Sequence, residues 1–315
     1  MKHSMSDAGV PLFAPAREPV DPLEGATLDG RYRVGRKLGQ GGMGAVYEGE
    51  HVVIRRRVAI KCLLPQYASS PEVVARFHRE AIAATSVGNE HIVEVTDFGR
   101  LPDGGCYMVL EYLSGSDLAH ELARVGPMSV ARTAHIVAQV CEALDAAHAA
   151  GIVHRDLKPA NIYLVRRGEE ADFVKVLDFG ISKFLDSEAG TPQLTRTNAG
   201  MGTPHYMSPE QVMNPKAVDH RADVYAVGVL LFAMLTGRHP FESETLPMLT
   251  VQIVSAPAPS PGAYRGDLPA ALEQLVRRLL EKDPAHRVQR CSQVRDALLA
   301  LRAHTQAPRL LSPPE

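Results

Sequence analysis

The sequence predicts an α+β fold of two lobes, a small β-rich N-lobe with one main helix and a larger α-rich C-lobe. Two observations predict this division. Short, partly alternating segments rich in β-branched residues occupy residues 31–111, and one helical pattern interrupts them. After Gly115 apolar residues recur at helical spacing. We therefore expect an N-lobe of residues 31–111, a hinge at 112–117 and a C-lobe of residues 118–302.

Local patterns predict the elements of each lobe. The N-lobe strands are expected at residues 31–38, 45–51, 57–63, 91–98 and 106–111. The N-lobe helix should begin after Ser70, which is followed by Pro71 and Glu72, and end at Gly88. The C-lobe helices are expected at residues 129–150, 222–235, 268–280 and 292–301, and the second of them is apolar on all sides. Proline-rich residues 1–30 and residues 303–315 are predicted to be loose ends.

The composition excludes several classes of protein. The formal charge of −2 gives no indication of nucleic-acid binding. The apolar stretch at residues 224–235 is too short to span a membrane, and no signal peptide precedes the fold. The four cysteines are far apart and lack metal-site spacing, which favours thiols in a reducing cytoplasm.

A glycine-rich segment in the N-lobe has the pattern G-x-G-x-x-G-x-V. Its residues are Leu38, Gly39, Gln40, Gly41, Gly42, Met43, Gly44, Ala45 and Val46. Glycines let backbone N–H groups approach phosphate oxygens closely. A dinucleotide-binding loop has similar glycines but opens a helix, whereas a strand pattern follows here. We therefore expect a hairpin that folds over a nucleotide.

A lysine and an acid follow the glycine-rich segment. Lys61 ends the apolar strand pattern Val-Ala-Ile-Lys. On an isolated strand it would be a surface lysine, but at this spacing its ammonium can hold phosphate oxygens. Glu80, on the N-lobe helix, is the candidate acid that fixes the lysine rotamer, the alternative being an exposed helix acid.

A second constellation follows the long C-lobe helix. It comprises Asp156, Lys158 and Asn161 within His-Arg-Asp-Leu-Lys-Pro-Ala-Asn, and then Asp178 within Asp-Phe-Gly. Asp156 can accept a proton from a hydroxyl, and Lys158 can neutralise a phosphoryl group in transfer. Asn161 and Asp178 offer the hard oxygen ligands that suit Mg²⁺. Together these residues indicate phosphoryl transfer.

These motifs resemble those of eukaryotic-type protein kinases, and in particular the bacterial Ser/Thr protein kinases. The resemblance covers about residues 32–302 and implies ATP and Mg²⁺, with Mn²⁺ as the alternative ion. It places Ala59 and Val46 above the adenine ring and Tyr163 below it. It also assigns the hinge hydrogen bonds to the backbone of Glu111 and Leu113, and the ribose contact to Asp117, which can equally cap the helix that follows.

The resemblance also identifies an activation segment. Thr203 matches the threonine that bonds the catalytic aspartate in Ser/Thr kinases. Glu210 is expected to pair with Arg287, and Asp223 to hold the catalytic-loop backbone. Arg155 matches the arginine that a phosphothreonine balances in relatives, and the family's autophosphorylated threonines correspond to Thr195 and Thr197.

The sequence therefore predicts a cytoplasmic, active Ser/Thr kinase of protein substrates, which autophosphorylates and could do so in trans as a homodimer. A pseudokinase and a small-molecule phosphotransferase are the alternatives. The first usually lacks the residues corresponding to Lys61, Asp156 or Asp178, and the second usually lacks the activation segment. The chain is either a single-domain enzyme or part of a protein that continues past Glu315 into a membrane or sensor domain.

Overall fold

The structure, a computed structural model, describes residues 21–101, 103–178 and 204–306. Its N-lobe contains an antiparallel sheet with the strand order β1-β2-β3-β4-β6-β5. The strands are β1 (Thr27–Leu28), β2 (Tyr32–Gln40), β3 (Gly44–His51), β4 (Arg57–Leu63), β5 (Val95–Arg100) and β6 (Cys106–Glu111). The α+β fold with two lobes is confirmed.

Two helices, α1 (Pro65–Ala68) and α2 (Pro71–Val87), follow β4, and α2 packs against β5 and β6 of the N-lobe sheet. Helix α2 begins where the Ser70 hydroxyl accepts a hydrogen bond from the Val73 N–H at 3.5 Å. It ends at Gly88, whose φ of 63° is the left-handed conformation that glycine adopts most readily. Phe77 of α2 is buried, so the face of the helix that carries it packs against the interior of the N-lobe.

Residues 21–30 are part of the N-lobe, so the predicted loose arm of residues 1–30 extends too far. Strand β1 pairs with β2, and Leu28 is buried. Tyr47 Oη donates a hydrogen bond to Asp21 at 2.8 Å, and Tyr107 Oη donates one to Asp29 at 2.5 Å. These aspartates anchor the segment to the sheet through partners far away in sequence.

The C-lobe combines helices with a small sheet. The sheet consists of β7 (Gly115–Asp117), β8 (Ile162–Arg167) and β9 (Glu170–Val176), paired antiparallel. The helices are α3 (Leu118–Val125), α4 (Val130–Ala149), α5 (Pro209–Met213), α6 (Arg221–Thr236), α7 (Leu246–Ser255), α8 (Ala270–Leu279) and α9 (Cys291–Gln306). As predicted from its apolar sequence, α6 is buried along almost its entire length. The core of this lobe forms where α4 and α8 pack against α6, and where α9 packs against α4 and α8.

Several element bounds differ from the prediction. The strand expected at 91–98 begins only at Val95, although Ile92 forms an isolated bridge to Val176. Helix α8 begins after Pro269, and α9 continues to Gln306, beyond the predicted boundary at residue 302. Within the described residues, no helix combines the length and the apolar character needed to cross a bilayer. All four cysteines are buried thiols.

Candidate active site

The glycine-rich segment forms the expected hairpin between β2 and β3. The Gly41 N–H donates to the Gly44 carbonyl at 2.8 Å, and β3 continues as a strand beyond it. A Cβ added at Gly39 would meet no atom within 4 Å, whereas one at Gly44 would lie 2.9 Å from the Cys62 carbonyl oxygen. Gly44 is therefore required by close backbone packing, while space remains beside Gly39 for a ligand.

Strand β4 and helix α2 bring Lys61 and Glu80 together. Lys61 Nζ lies 2.6 Å from Glu80 Oε1 and also 2.6 Å from Asp178 Oδ1. The lysine and the glutamate are both buried. Three residues that are distant in sequence thus form one charged cluster. The contact between Lys61 and Glu80 was expected, whereas the contact between Lys61 and Asp178 was not.

The charges in this cluster control one another. Burial disfavours ionisation of Asp178, but the adjacent Lys61 outweighs it and lowers the pKa of that carboxyl. Burial raises the pKa of Glu80, and although Lys61 opposes this effect, the negative charge of Asp178 reinforces it. The Lys61 pKa is raised despite burial, because two carboxylates contact its ammonium. The lysine is therefore charged at neutral pH, and Asp178 is the more strongly ionised of the two acids.

The catalytic-loop residues lie against one another. Lys158 Nζ is 2.9 Å from Asp156 Oδ2, and Asn161 Nδ2 donates to the Asp156 backbone carbonyl at 2.8 Å. The backbone carbonyl of Asn161 accepts a hydrogen bond from the Leu177 N–H at 2.8 Å. This backbone bond joins the loop to the segment that ends at Asp178.

Asp223, at the start of the buried helix α6, holds the catalytic loop by its backbone. Its Oδ2 accepts the His154 N–H at 2.8 Å and its Oδ1 accepts the Arg155 N–H at 2.7 Å. His148 Nε2 lies 2.7 Å from Oδ2. Burial disfavours the Asp223 charge, but the hydrogen bond and charge of His148 outweigh it and lower the pKa of this carboxyl.

The oxygen donors of Asn161 and Asp178 fit a divalent cation. The Asn161 amide nitrogen donates to Asp156, so the carbonyl oxygen Oδ1 is the atom left for a cation. Asp178 adds carboxylate oxygens, and its φ of 46° is unusual for a residue other than glycine. The described residues include no cluster of three or more His, Cys, Asp or Glu side chains suited to a metal. A pair of oxygen ligands suits Mg²⁺, which takes its other ligands from phosphate and water.

The residues assigned to the nucleoside come from strands of both lobes. Val46 pairs with Lys61 across β3 and β4, and Ala59 is partly buried in the N-lobe core. Asp117 accepts a hydrogen bond from the His120 N–H at 2.9 Å and so caps helix α3. This is the helix-capping role that was the alternative to a ribose contact. Tyr163 faces Asp117 across β7 and β8.

The hinge is fixed by contacts on both of its sides. Lys175 Nζ lies 2.6 Å from Glu111 Oε1. Leu113 packs against the apolar cluster beneath α2. These contacts position the backbone to which the resemblance assigns the adenine hydrogen bonds.

The end of the activation segment is anchored to the C-lobe. Arg287 donates to Glu210 Oε1 at 2.6 Å and to Oε2 at 2.7 Å, and its side chain is fully buried. The same guanidinium donates to three backbone carbonyls, those of Arg221, Glu281 and Lys282. The pairing expected from the motifs is therefore present. Thr195, Thr197 and Thr203 lie outside the described residues.

Two residues that position the catalytic loop were missed. His148 binds Asp223, and the Gln211 side chain donates to the Arg155 carbonyl at 2.8 Å. A histidine facing a buried helix, one turn after Leu144, was the available signal for the first. The second had none, because its partner is a backbone atom.

Comparison with known proteins agrees with this geometry. The family model described as "Protein kinase domain" matches residues 32–298. A curated relative, Serine/threonine-protein kinase Pkn1 of Myxococcus xanthus, is 46% identical over 94% of this chain and 42% of its own length. PrkC of Bacillus subtilis, also a serine/threonine-protein kinase, is 37% identical over 84% of this chain and 39% of its own length.

A solved structure shares the fold. The PknI kinase domain of Mycobacterium tuberculosis has a TM-score of 0.66 and 31% identity, with 88% of this chain and 98% of that chain covered. The chain therefore belongs to the protein kinase family, whose members use ATP and a divalent metal ion. It spans less than half the length of the curated relatives named above.

Proposed function

We propose that this chain is an active Ser/Thr protein kinase, which transfers the γ-phosphate of ATP to serine or threonine hydroxyls of proteins. The observation that carries the proposal is the charged cluster of Lys61, Glu80 and Asp178 beside the linked residues Asp156 and Asn161. A pseudokinase would have no need to retain all of them. The relatives named above support the Ser/Thr assignment.

The chain's own residues supply most of the chemistry. Lys61, with its rotamer fixed by Glu80, would hold α- and β-phosphate oxygens under the glycine-rich hairpin. Asp156 would orient the substrate hydroxyl and take its proton. Lys158, 2.9 Å from Asp156, would offset the charge on the phosphoryl group in transfer. A Mg²⁺ ion held by Asn161 and Asp178 would neutralise phosphate charge.

The activation segment is the proposed site of autophosphorylation, at Thr195 and Thr197. Burial lowers the pKa of Arg155 to about 10, although Asp223 opposes the shift. A guanidinium whose charge is penalised by burial favours a dianionic partner, and a phosphothreonine is one. Mass spectrometry after incubation with ATP tests this proposal. Phosphate found at other positions and at neither threonine would contradict it.

The cell compartment and the assembly of the protein are also proposals. Four buried thiols suit a kinase domain that works in the reducing cytoplasm, where ATP is available. Trans-autophosphorylation would bring two copies together as a homodimer. Analytical ultracentrifugation before and after incubation with ATP would detect that assembly.

The decisive experiment compares the protein with its Asp156→Asn variant. Each is incubated with radiolabelled ATP, Mg²⁺ and casein, beside Asp296→Asn as a matched control at an exposed aspartate. We expect transfer by the wild type and the control, and a loss of at least a hundredfold in Asp156→Asn, as general-base removal commonly gives about 10² to 10⁴. Equal, near-zero transfer by all three, with nucleotide bound, would favour a pseudokinase.

A further inference from the structure

Two histidines from separate segments stack beside the end of the activation segment. His205 lies in the short 3₁₀ turn Pro204–Tyr206, and His239 lies in the connection between α6 and α7. Their ring centroids are 4.3 Å apart, with 23° between the planes. Tyr206 packs its ring edge against His239 at 5.5 Å. The stack therefore joins the turn to the body of the C-lobe.

The turn is coupled to the catalytic loop through its neighbour in sequence. Helix α5 follows it directly, and Gln211 of α5 donates to the Arg155 carbonyl. Arg287 fixes the same helix through Glu210. A displacement of His205 would therefore move the start of a segment that continues into α5. At the other end of this segment, Gln211 contacts Arg155, the residue before Asp156.

The stack suits neutral rings. His205 Nδ1 is buried and has no hydrogen-bond partner among the described residues, so a proton placed there would lack an acceptor. Glu242 is the acid that faces the pair. Its Oε1 accepts the His239 backbone N–H at 3.1 Å and lies 3.9 Å from His239 Nδ1.

The other charged groups of the packed elements are engaged elsewhere. Helix α7 carries no titratable side chain. On α6, Arg221 pairs with Asp219, Asp223 holds the catalytic loop, and Tyr225 lies under the guanidinium of Arg287. In the α6–α7 connection, Arg238 packs over the ring of Tyr264, and Glu244 is exposed. Lys282, which follows α8, lies over the ring of Phe241. Glu242 is therefore the acid that can balance a charge on the stacked pair.

Burial lowers the pKa of both histidines. The neighbouring His205 lowers the pKa of His239 further, while Glu242 opposes the shift for each ring. Both rings are therefore neutral at pH 7, and a fall in pH below about 6.5 charges them at a cost to the stacked arrangement. Two imidazolium rings in face-to-face contact would repel each other.

We propose that the stacked pair of His205 and His239 positions the turn at the end of the activation segment, that this turn contributes to binding of the protein substrate, and that charging the pair in mild acid weakens that binding. This proposal rests on the kinase function proposed above. Neither ring takes part in the chemical step. The expected signature is a change in KM for the protein substrate, with little change in KM for ATP.

Kinetics with a variant that cannot titrate provide the first test. We expect the KM for casein in the wild type to rise about fivefold between pH 7.5 and 5.8, as loss of one modest interaction would give. The double variant His205→Phe/His239→Phe keeps both aromatic rings and removes the titration of the pair, so its KM should change less than twofold. His286→Phe, at a histidine with 74% side-chain exposure, should behave as the wild type. The same acid rise in the double variant would overturn the proposal.

A nuclear magnetic resonance titration provides a second test that requires no catalysis. The imidazole proton signals of His205 and His239 are assigned by their loss in the single variants His205→Phe and His239→Phe. Both should titrate below pH 6.5 in the wild type, and the His239 midpoint should rise in His205→Phe. An unchanged midpoint would refute the coupling even if the protein transfers no phosphate. Normal coupling without phosphate transfer would refute only the kinase function.

Discussion

The buried ion pair of His148 and Asp223 should make the stability of this protein depend on pH in the alkaline range. Only 9% of the His148 side chain is exposed, and its Nε2 lies 2.7 Å from Asp223 Oδ2. Burial opposes the histidine charge, but the hydrogen bonds with Asp223 and Cys291 outweigh it and raise the pKa of His148 to about 10. The imidazole therefore carries a proton at neutral pH in the folded protein.

The raised pKa fixes both the sign and the size of the effect. The proton-linked stability is complete below the unfolded pKa of about 6.5 and is lost as the pH rises toward the folded pKa. Each pH unit in that window removes up to about 1.4 kcal/mol. Raising the pH from about 6.5 to about 8.5 should therefore lower the free energy of unfolding by roughly 2 to 3 kcal/mol.

Urea unfolding at a series of pH values measures this loss. His148→Gln cannot gain the proton, so the free-energy difference between it and the wild type should shrink as the pH rises. His286→Gln, at an exposed histidine, should stay parallel to the wild type. A difference between wild type and His148→Gln that is the same at pH 6.5 and 8.5 would refute the reasoning.

Three further predictions concern buried contacts of the same fold. Arg287→Ala leaves Glu210 without its partner and should lower the free energy of unfolding by about 3 to 5 kcal/mol. Urea denaturation measures this loss, and a loss of less than about 1 kcal/mol would contradict the prediction. Glu80→Gln removes the charge that fixes Lys61 and should slow phosphate transfer roughly ten- to hundredfold, whereas an unchanged rate would contradict the role of that pair. Gly44→Ala forces a Cβ against a backbone carbonyl at 2.9 Å and should destabilise the protein by about 1 to 3 kcal/mol, which thermal unfolding would detect.

The motifs predicted the side chains of the candidate site because its chemistry restricts residue type. Lys61, Glu80 and Asp178 are far apart in sequence, yet the motifs identified each of them as a candidate, and the structure places Lys61 within hydrogen-bonding distance of both acids. Helix α2 was predictable for a different reason. Ser70 and Gly88 are local end signals that need no tertiary partner.

The features that the sequence did not predict depend on distant partners. Residues 21–30 lack any periodic pattern, and they are ordered by hydrogen bonds to Tyr47 and Tyr107 in other strands. Strand β7 has three residues, too few to show an alternating pattern, and it is defined by its pairing with β8. Local propensity carries no information about such pairings.

Backbone strain and charge meet at two points of the candidate site. Arg155 has a φ of 64° and Asp178 a φ of 46°, in the left-handed region that disfavours side chains. Such conformations cost about 1 to 3 kcal/mol each and persist where surrounding contacts over-determine them. The contacts are visible in both cases, because Asp223 binds the Arg155 N–H and Lys61 binds the Asp178 carboxylate. The buried helix α6 thus holds the catalytic loop in a strained conformation, while the N-lobe holds the proposed magnesium ligand. The two strained residues are therefore fixed from different lobes, Arg155 by Asp223 of the C-lobe and Asp178 by Lys61 of the N-lobe.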